Sequence, residues 1–242
     1  VIKTNSNGVS ADILKLIAIV AMLIDHIAWA FVPLDTFLGF TMHVIGRLTA
    51  PIMCFFIAEG FHHTRNVKKY ALRLLIFAII SQIPFFYFET GRFIPEFNSF
   101  FDILGKFNVI FTLLFGLLSL WILKSSMKSA VKYLLILILM IVSLASDWLF
   151  FGILFILVFG LNSGNFKKQA TGFSLISLVL LINFLFNMSY LMLFQLGVLL
   201  ALPLLYFYNG ERSGNRMNKW VFYWFYPVHL LIIGLMKFYI LK

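Results

Sequence analysis

Long apolar runs recur through almost the whole chain, and they restrict its fold more than any other feature. They cover about 13–31, 40–61, 70–88, 107–123, 131–146, 148–161, 170–187, 189–207 and 220–240. Most approach the ~17–25 residues that carry an α-helix across a hydrocarbon layer about 30 Å thick. With 62% hydrophobic and 12% charged residues, the chain is far from the roughly half-apolar, quarter-charged balance of a soluble domain. The expected fold is therefore all-α, a polytopic transmembrane helical bundle of about nine spans, with 1–242 forming a single transmembrane domain. Eight spans is the alternative, because the 148–161 run is short and its separation from the run before it rests on Ser146-Asp147. The run at 13–31 exceeds a signal-peptide core and ends without a small-residue cleavage motif, so it is expected to stay as the first helix.

The net charge of +10 would suggest nucleic acid in a soluble protein, but in this chain it first reports topology. Lys3, Lys15, Arg65, Lys68, Lys69, Arg73, Lys124, Lys128, Lys132, Lys167, Lys168, Arg212, Arg216 and Lys219 all fall near one set of helix ends. The opposite ends hold Arg92, Lys106, Lys237 and Lys242. Cytoplasmic loops carry the excess of Lys and Arg, which places the N-terminus inside and predicts a multi-pass membrane protein, with lipid and no nucleic acid among its partners. The lone Cys54 has no partner for a disulfide or a cysteine metal site. Phosphate-binding loops, dinucleotide fingerprints, HExxH helices and GxSxG elbows are all missing, which disfavours ATP-driven pumps, zincins and ordinary serine esterases.

Ionisable side chains inside the membrane are costly, roughly 2.5–3.5 kcal/mol at the bilayer centre, and so point to a partner, a cavity or a function. Asp25 and His26 lie about two-thirds of the way along the first span. Adjacent helical residues point about 100° apart, so both can border one cavity without sharing a stripe. A carboxylate beside a histidine suits proton relay, metal binding, or an imidazole acting as base or nucleophile. His43 and Arg47 share a face of the second span, and Arg47 enters at a depth comparable to Asp25, so an Asp25–Arg47 pair is the economical structural reading. At the inner end EGFHHTRNVKKYALRL places Glu59 four residues from His63, beside Arg65, Lys69, Tyr70 and Arg73. Two ligands at that spacing make a weak metal case, so no metal is predicted, and the cations suit either cofactor phosphates or anionic lipid. Gln82, Asn108, Tyr226 and His229 add polar groups within spans, for which interhelical hydrogen bonding competes with chemistry.

Taken in order, LKLIAIVAMLIDHI (14–27), IGRLTAPIMCFFIAEGFHHTRNVKKYALRLLIFAIISQIPF (45–85), NVIFTLLFGL (108–117) and YWFYPVHLLI (223–232) resemble the TraX family of bacterial membrane proteins. The region 118–207 matches mainly in hydropathy. The resemblance implies N-acetylation of a conjugative pilin's amino terminus. More distantly, the family is similar to acyltransferase-3 proteins and the lysosomal heparan glucosaminide acetyltransferase, which deliver an acyl group from cytosolic acyl-CoA to an acceptor across the membrane. A membrane histidine is central to the chemistry of that wider group, and His26 is its natural counterpart. On this basis Asp25 is expected to orient or charge His26, and Arg47 or Asn108 to stabilise an oxyanion. Arg65, Lys69 and Arg73, with Tyr70, His63 and Glu59, are expected around acetyl-CoA. Gln82, Tyr226 and His229 form a substrate or structural polar network. Direct transfer and an acyl-histidine intermediate both stay open.

Three readings follow. The first is a membrane acetyltransferase using acetyl-CoA and modifying an unidentified envelope glycan, lipid-linked sugar or exported peptide. The second is a proton-coupled secondary transporter, motivated by Asp25, His26, Arg47 and His229 within the spans. The third is a noncatalytic assembly scaffold.

Overall fold

The computed structural model describes residues 8–94, 106–185, 190–211 and 219–240. These residues fold as helices joined by short turns, in the order α1 Ala11–Phe31, α2 Phe37–Gly46, α3 Thr49–His63, α4 Val67–Thr90, α5 Val109–Lys124, α6 Ser129–Ser143, α7 Phe151–Leu161 and α8 Phe166–Leu185. A 3₁₀ helix at Tyr190–Leu200 then runs into α9 (Ala201–Tyr206), and α10 (Lys219–Leu235) ends in a π-helical turn. By length and composition four stretches can cross a bilayer: Ala11–Phe31, Phe37–His63, Val67–Thr90 and Trp220–Tyr239. Several others are shorter apolar helices.

Local chemistry accounts for the boundaries. The apolar run at 40–61 divides into α2 and α3 because Pro51 has no N–H to give the Arg47 carbonyl and its ring crowds that group, so the chain turns at Arg47-Leu48. Asn66 caps α4 by accepting from the Lys69 amide, and Gly91 ends it at φ 72°, a left-handed value that glycine adopts without strain. The run at 148–161 yields only the 11 residues of α7, about 16 Å of helix.

The short helices are set within the depth of α4. Asn108, just before α5, bonds to Ala78 O and Gln82, and Gln82 in turn donates to Lys106 O. Gln82 lies eight residues before Thr90, so α5 begins about 12 Å short of the end of α4. Phe107 pairs with the Ala145–Asp147 turn, which brings that turn to the same recessed level.

Contacts between helix ends divide the bundle into two ends. Val9 exchanges backbone hydrogen bonds with Phe207 and Asn209, and His62 Nε2 donates to Gly160 O. These contacts gather the starts of α1 and α4 with the ends of α3, α7 and α9 at the end that also holds Lys15, Arg65, Lys68 and Lys69. Helices α1, α3, α4, α5 and α10 surround the interior, α7 backs α3 and α5, and α2 packs between α1 and the 3₁₀ helix. Leu14, Ala18, Ile52, Ala78, Leu117, Phe155, Phe173 and Leu230 are among the fully buried residues. The outward faces remain apolar, as at Leu72, Ile76, Ile79 and Ile83 of α4 and Leu134, Leu137, Ile138 and Ile141 of α6. Such contiguous faces suit contact with lipid rather than water.

Candidate functional site

A cavity of about 480 Å³ runs between α1, α3, α4, α5 and α10. Lys15, Gly60, Tyr70 and Phe222 line it at the basic end, and Trp29 and Glu89 at the other, with His26, Asp25, Arg47 and Tyr226 between them. From Lys15 to Trp29 is 14 residues of α1, so the cavity follows about 21 Å of that helix. His26 lies about 16.5 Å along it from Lys15.

Asp25 is buried and uses both carboxylate oxygens. His43 Nδ1 donates to Oδ1 at 2.8 Å and Arg47 Nη2 donates to Oδ2. The pair anticipated from the equal depth of Asp25 and Arg47 is therefore made, and His43 joins it. Gly46 permits this approach, since a Cβ there would overlap the Asp25 side chain. The Arg47 guanidinium also lies over the rings of Trp148 and Phe194, 5.4 and 5.2 Å from their centroids. Its Nε is buried without a hydrogen-bond partner among the described residues.

Asp25, expected to orient or charge His26, makes no hydrogen bond to it; its oxygens meet His43 and Arg47. His26 Nδ1 instead lies 2.8 Å from Met22 O and 3.1 Å from His229 Nε2. A carbonyl can only accept, so Nδ1 carries the proton and Nε2 is the basic nitrogen of the neutral ring. The same logic fixes His229: its Nδ1 donates to Phe225 O at 2.7 Å, leaving Nε2 to accept from His26. Phe88 stands edge-on to His26 at 5.3 Å, and Phe225 stacks on His229 at 4.7 Å and 17°, which hold the two ring planes.

Asn108 is displaced from the expected oxyanion role. Its two amide hydrogens go to Ala78 O and Gln82 Oε1, both at 2.8 Å, and its Oδ1 caps α5 by accepting from the Ile110 amide. Asn108 and Gln82 thus clasp α4 to α5. Glu59 and His63 pair with each other at 3.2 Å, as their spacing anticipates. Arg65 and Lys69 are exposed beyond the cavity wall, whereas Tyr70 lines it, with Arg73 lying 5.5 Å from the Tyr70 ring centroid. Lys15, read from sequence only as a topology marker, is the cation that lines this mouth, 4.9 Å from the Phe56 ring centroid. Glu89 and Asp147, both read as loop or turn residues, line the cavity as well.

A continuous path, a histidine with an exposed basic nitrogen and an arginine with further N–H groups can together move a proton and steady a developing negative oxygen. The comparisons with known proteins accord with a membrane role. The family model described as TraX protein matches residues 10–237. The probable fimbrial assembly protein FimC, serogroup H1, of Dichelobacter nodosus is 34% identical over 237 residues, covering 96% of this chain and 97% of that protein. An uncharacterized protein of Rickettsia prowazekii (strain Madrid E) is 38% identical over 72 residues, 30% of this chain and 25% of that protein. No solved structure matches the chain.

Proposed function

The chain belongs to the TraX family, and from that premise we propose that it is a membrane-embedded acetyltransferase, taking acetyl from acetyl-CoA at the basic end and passing it to an acceptor at the other. The observation that carries this reading is the cavity that joins Lys15 at one end to Glu89 at the other by way of His26. In the proposed orientation the N-terminus and the basic end face the cytoplasm of a bacterium, across its inner membrane. The fimbrial assembly role in the relative's name favours an exported, pilin-like peptide as acceptor over an envelope glycan or lipid-linked sugar.

The residues fit an acyl-CoA thioester. A volume near 480 Å³ falls within the roughly 300–1,000 Å³ of small-molecule sites, enough for the acyl and pantetheine parts. The nucleotide would remain at the mouth, where Lys15 and the exposed Arg65 and Lys69 supply positive charge for its phosphates. The 16.5 Å from Lys15 to His26 sets the reach required of the pantetheine arm.

In direct transfer the acceptor heteroatom bonds to the thioester carbonyl carbon as its proton passes to His26 Nε2. The C–S bond then breaks, and the sulfur takes that proton from Nε2. In the acyl-histidine route Nε2 itself bonds to the thioester carbon as the C–S bond breaks and CoA leaves as its thiolate; the acceptor heteroatom then bonds to that carbon as the N–C bond breaks, and its proton passes to the thiolate. Both routes need an unprotonated Nε2 facing the cavity. Arg47, with N–H groups beyond the one given to Asp25, is placed to donate to the carbonyl oxygen as it gains charge.

The test is acetyl-CoA binding and slow hydrolysis by detergent-purified protein, with mass spectrometry of envelope peptides from cells with and without it. Wild type should bind saturably and turn over, His26→Ala should bind without turnover, and one envelope species should lose a single acetyl group in cells lacking the protein. Folded wild type with neither binding nor turnover would sink the reading. Solute flux into proteoliposomes without acyl turnover would replace it with the transporter.

A further inference from the structure

A second histidine, packed behind His26, has a geometry that the reaction outlined above does not use. His229 comes from α10, 203 residues from His26 in sequence, yet its Nε2 is 3.1 Å from His26 Nδ1. It is buried, at 5% exposure. Its own Nδ1 is tied to the Phe225 carbonyl, so its neutral ring presents a lone pair, and nothing else, to His26. Asp25, the residue next to His26 in sequence, is held by His43 and Arg47. Where a general-base histidine ordinarily meets a carboxylate, His26 Nδ1 meets the Met22 carbonyl at 2.8 Å and a second imidazole at 3.1 Å.

We infer that His229 is a positioning residue of this site, holding the His26 ring together with the Met22 carbonyl, sharing the proton on Nδ1 and taking it up when Nε2 is protonated. The inference rests on the acetyltransferase reading for its place in a reaction, but the hydrogen bond itself can be measured without one. As His26 Nε2 gains the acceptor's proton, the Nδ1–H bond breaks and an N–H bond forms on His229 Nε2. The positive charge then sits on His229, and His26 is neutral with its proton on Nε2. When the leaving sulfur takes the Nε2 proton, the proton on His229 returns to Nδ1, and both rings regain their starting forms. No outside donor or acceptor is needed.

The surroundings suit a proton shared between two rings. Asp25 on α1 and Arg47 after α2 carry opposite charges and are bonded to each other beside His26. Glu89 on α4, Asp147 in the turn before α7 and the Tyr226 phenol on α10 line the same cavity, while Lys237 lies against the Phe88 ring. Phe88 and Phe225 hold the rings so that the two nitrogens stay opposed.

The experiment uses the full chain in detergent with ¹⁵N-labelled histidine, as wild type, His229→Gln and His229→Phe, each checked for monodispersity and thermal unfolding. In wild type the His26 ring should carry its proton on Nδ1, and a ¹⁵N–¹⁵N coupling should cross the hydrogen bond to His229. With Gln the coupling should vanish while the Met22 carbonyl and the amide oxygen keep the Nδ1–H tautomer. Acetyl-CoA turnover in that variant should fall, because the amide holds the ring but takes up no proton, and one ionisation should be missing from its pH profile. With Phe, turnover should fall roughly 10–100-fold, the scale on which removing the orienting partner of a functional histidine acts, with KM for acetyl-CoA within about two-fold. Absence of the coupling in wild type, a proton on His26 Nε2, or a His229→Gln pH profile matching wild type would overturn the inference. A wild type that shows the coupling but no turnover would support the bonded pair and overturn its catalytic role together with the acetyltransferase reading. Should His229→Phe fail to fold, His229→Gln still decides the question through the coupling and the pH profile.

Discussion

Replacing Arg47 by Met should expose how much of the bundle depends on the Asp25 cluster. The two side chains are 12% and 11% exposed, so this is a buried pair rather than a surface one. Removing one member of a buried pair costs roughly 3–5 kcal/mol, chiefly because the remaining charge is left stranded. His43 still donates to Asp25 at 2.8 Å after the change, which places Arg47→Met near the lower end, about 3 kcal/mol. Asp25→Asn should cost a similar amount, eased by the Trp148 and Phe194 faces that still meet the guanidinium. The double variant Asp25→Asn/Arg47→Met strands no charge, so it should fall short of the sum of the singles by at least about 1.5 kcal/mol. Reversible unfolding by sodium dodecyl sulfate in mixed micelles, at fixed detergent and lipid ratio, reads all four proteins. Singles that add within about 0.5 kcal/mol would show the two side chains to be energetically independent, and the cluster would lose its standing as the anchor between α1 and α2.

Three further outcomes follow from particular contacts. Asn108→Ala removes a helix cap and the side-chain bonds to Ala78 O and Gln82 Oε1, while the residue 108 amide still donates to Gln82 Oε1, so unfolding free energy should drop by about 1–2 kcal/mol; a selective loss of acetyl-CoA turnover per folded molecule would return Asn108 to the oxyanion role. Lys15→Met should raise KM for acetyl-CoA roughly five-fold, the effect of about 1 kcal/mol, with kcat held and with a larger effect than Arg65→Ala; equal effects would move the phosphate site off the cavity mouth. Gly46→Ala forces a Cβ into the Asp25 side chain and should cost about 1–3 kcal/mol in the same unfolding assay, whereas wild-type stability would mean that α2 can move away freely.

Hydropathy located the apolar helices, four of them among the described residues long enough to cross a bilayer against about nine spans expected, because lipid demands long apolar runs whatever their partners. It could not divide 40–61, where a single Pro51 acting on the Arg47 carbonyl overrides the pattern. The Asp25–Arg47 contact was legible because two opposite charges at equal depth have few other ways to be stabilised. That same argument held a further signal: His43 shares the helical face of Arg47, so a carboxylate meeting one should meet the other, and it does. Adjacency misled at Asp25-His26, since neighbours on a helix diverge by about 100° and their partners come from different helices. Asn108 was read as a donor for chemistry because the acceptors of its amide hydrogens lie on α4, with Ala78 O 30 residues away, and the pairing of His26 with His229 spans 203 residues. Contacts of that range have no local sequence period to reveal them.

The separation of Asp25 from His26 has an electrostatic consequence for the proposed reaction. At rest the Asp25 carboxylate is balanced by Arg47, and His26 and His229 are neutral, so these four side chains carry no net charge into a low-dielectric interior. When the acceptor's proton reaches His26 Nε2, positive charge appears on the histidine pair as negative charge appears on the carbonyl oxygen. What must be stabilised is a dipole created in place, rather than a new net charge drawn from water. The histidine pair spreads its positive end over two rings, and the N–H groups of Arg47 that Asp25 leaves unused face its negative end. A carboxylate bonded directly to His26 would strengthen the positive end alone, and Arg47 would then lose the anion that fixes its position. Dividing the polar residues into one balanced ionic cluster and one neutral pair supplies partners for both ends of the dipole.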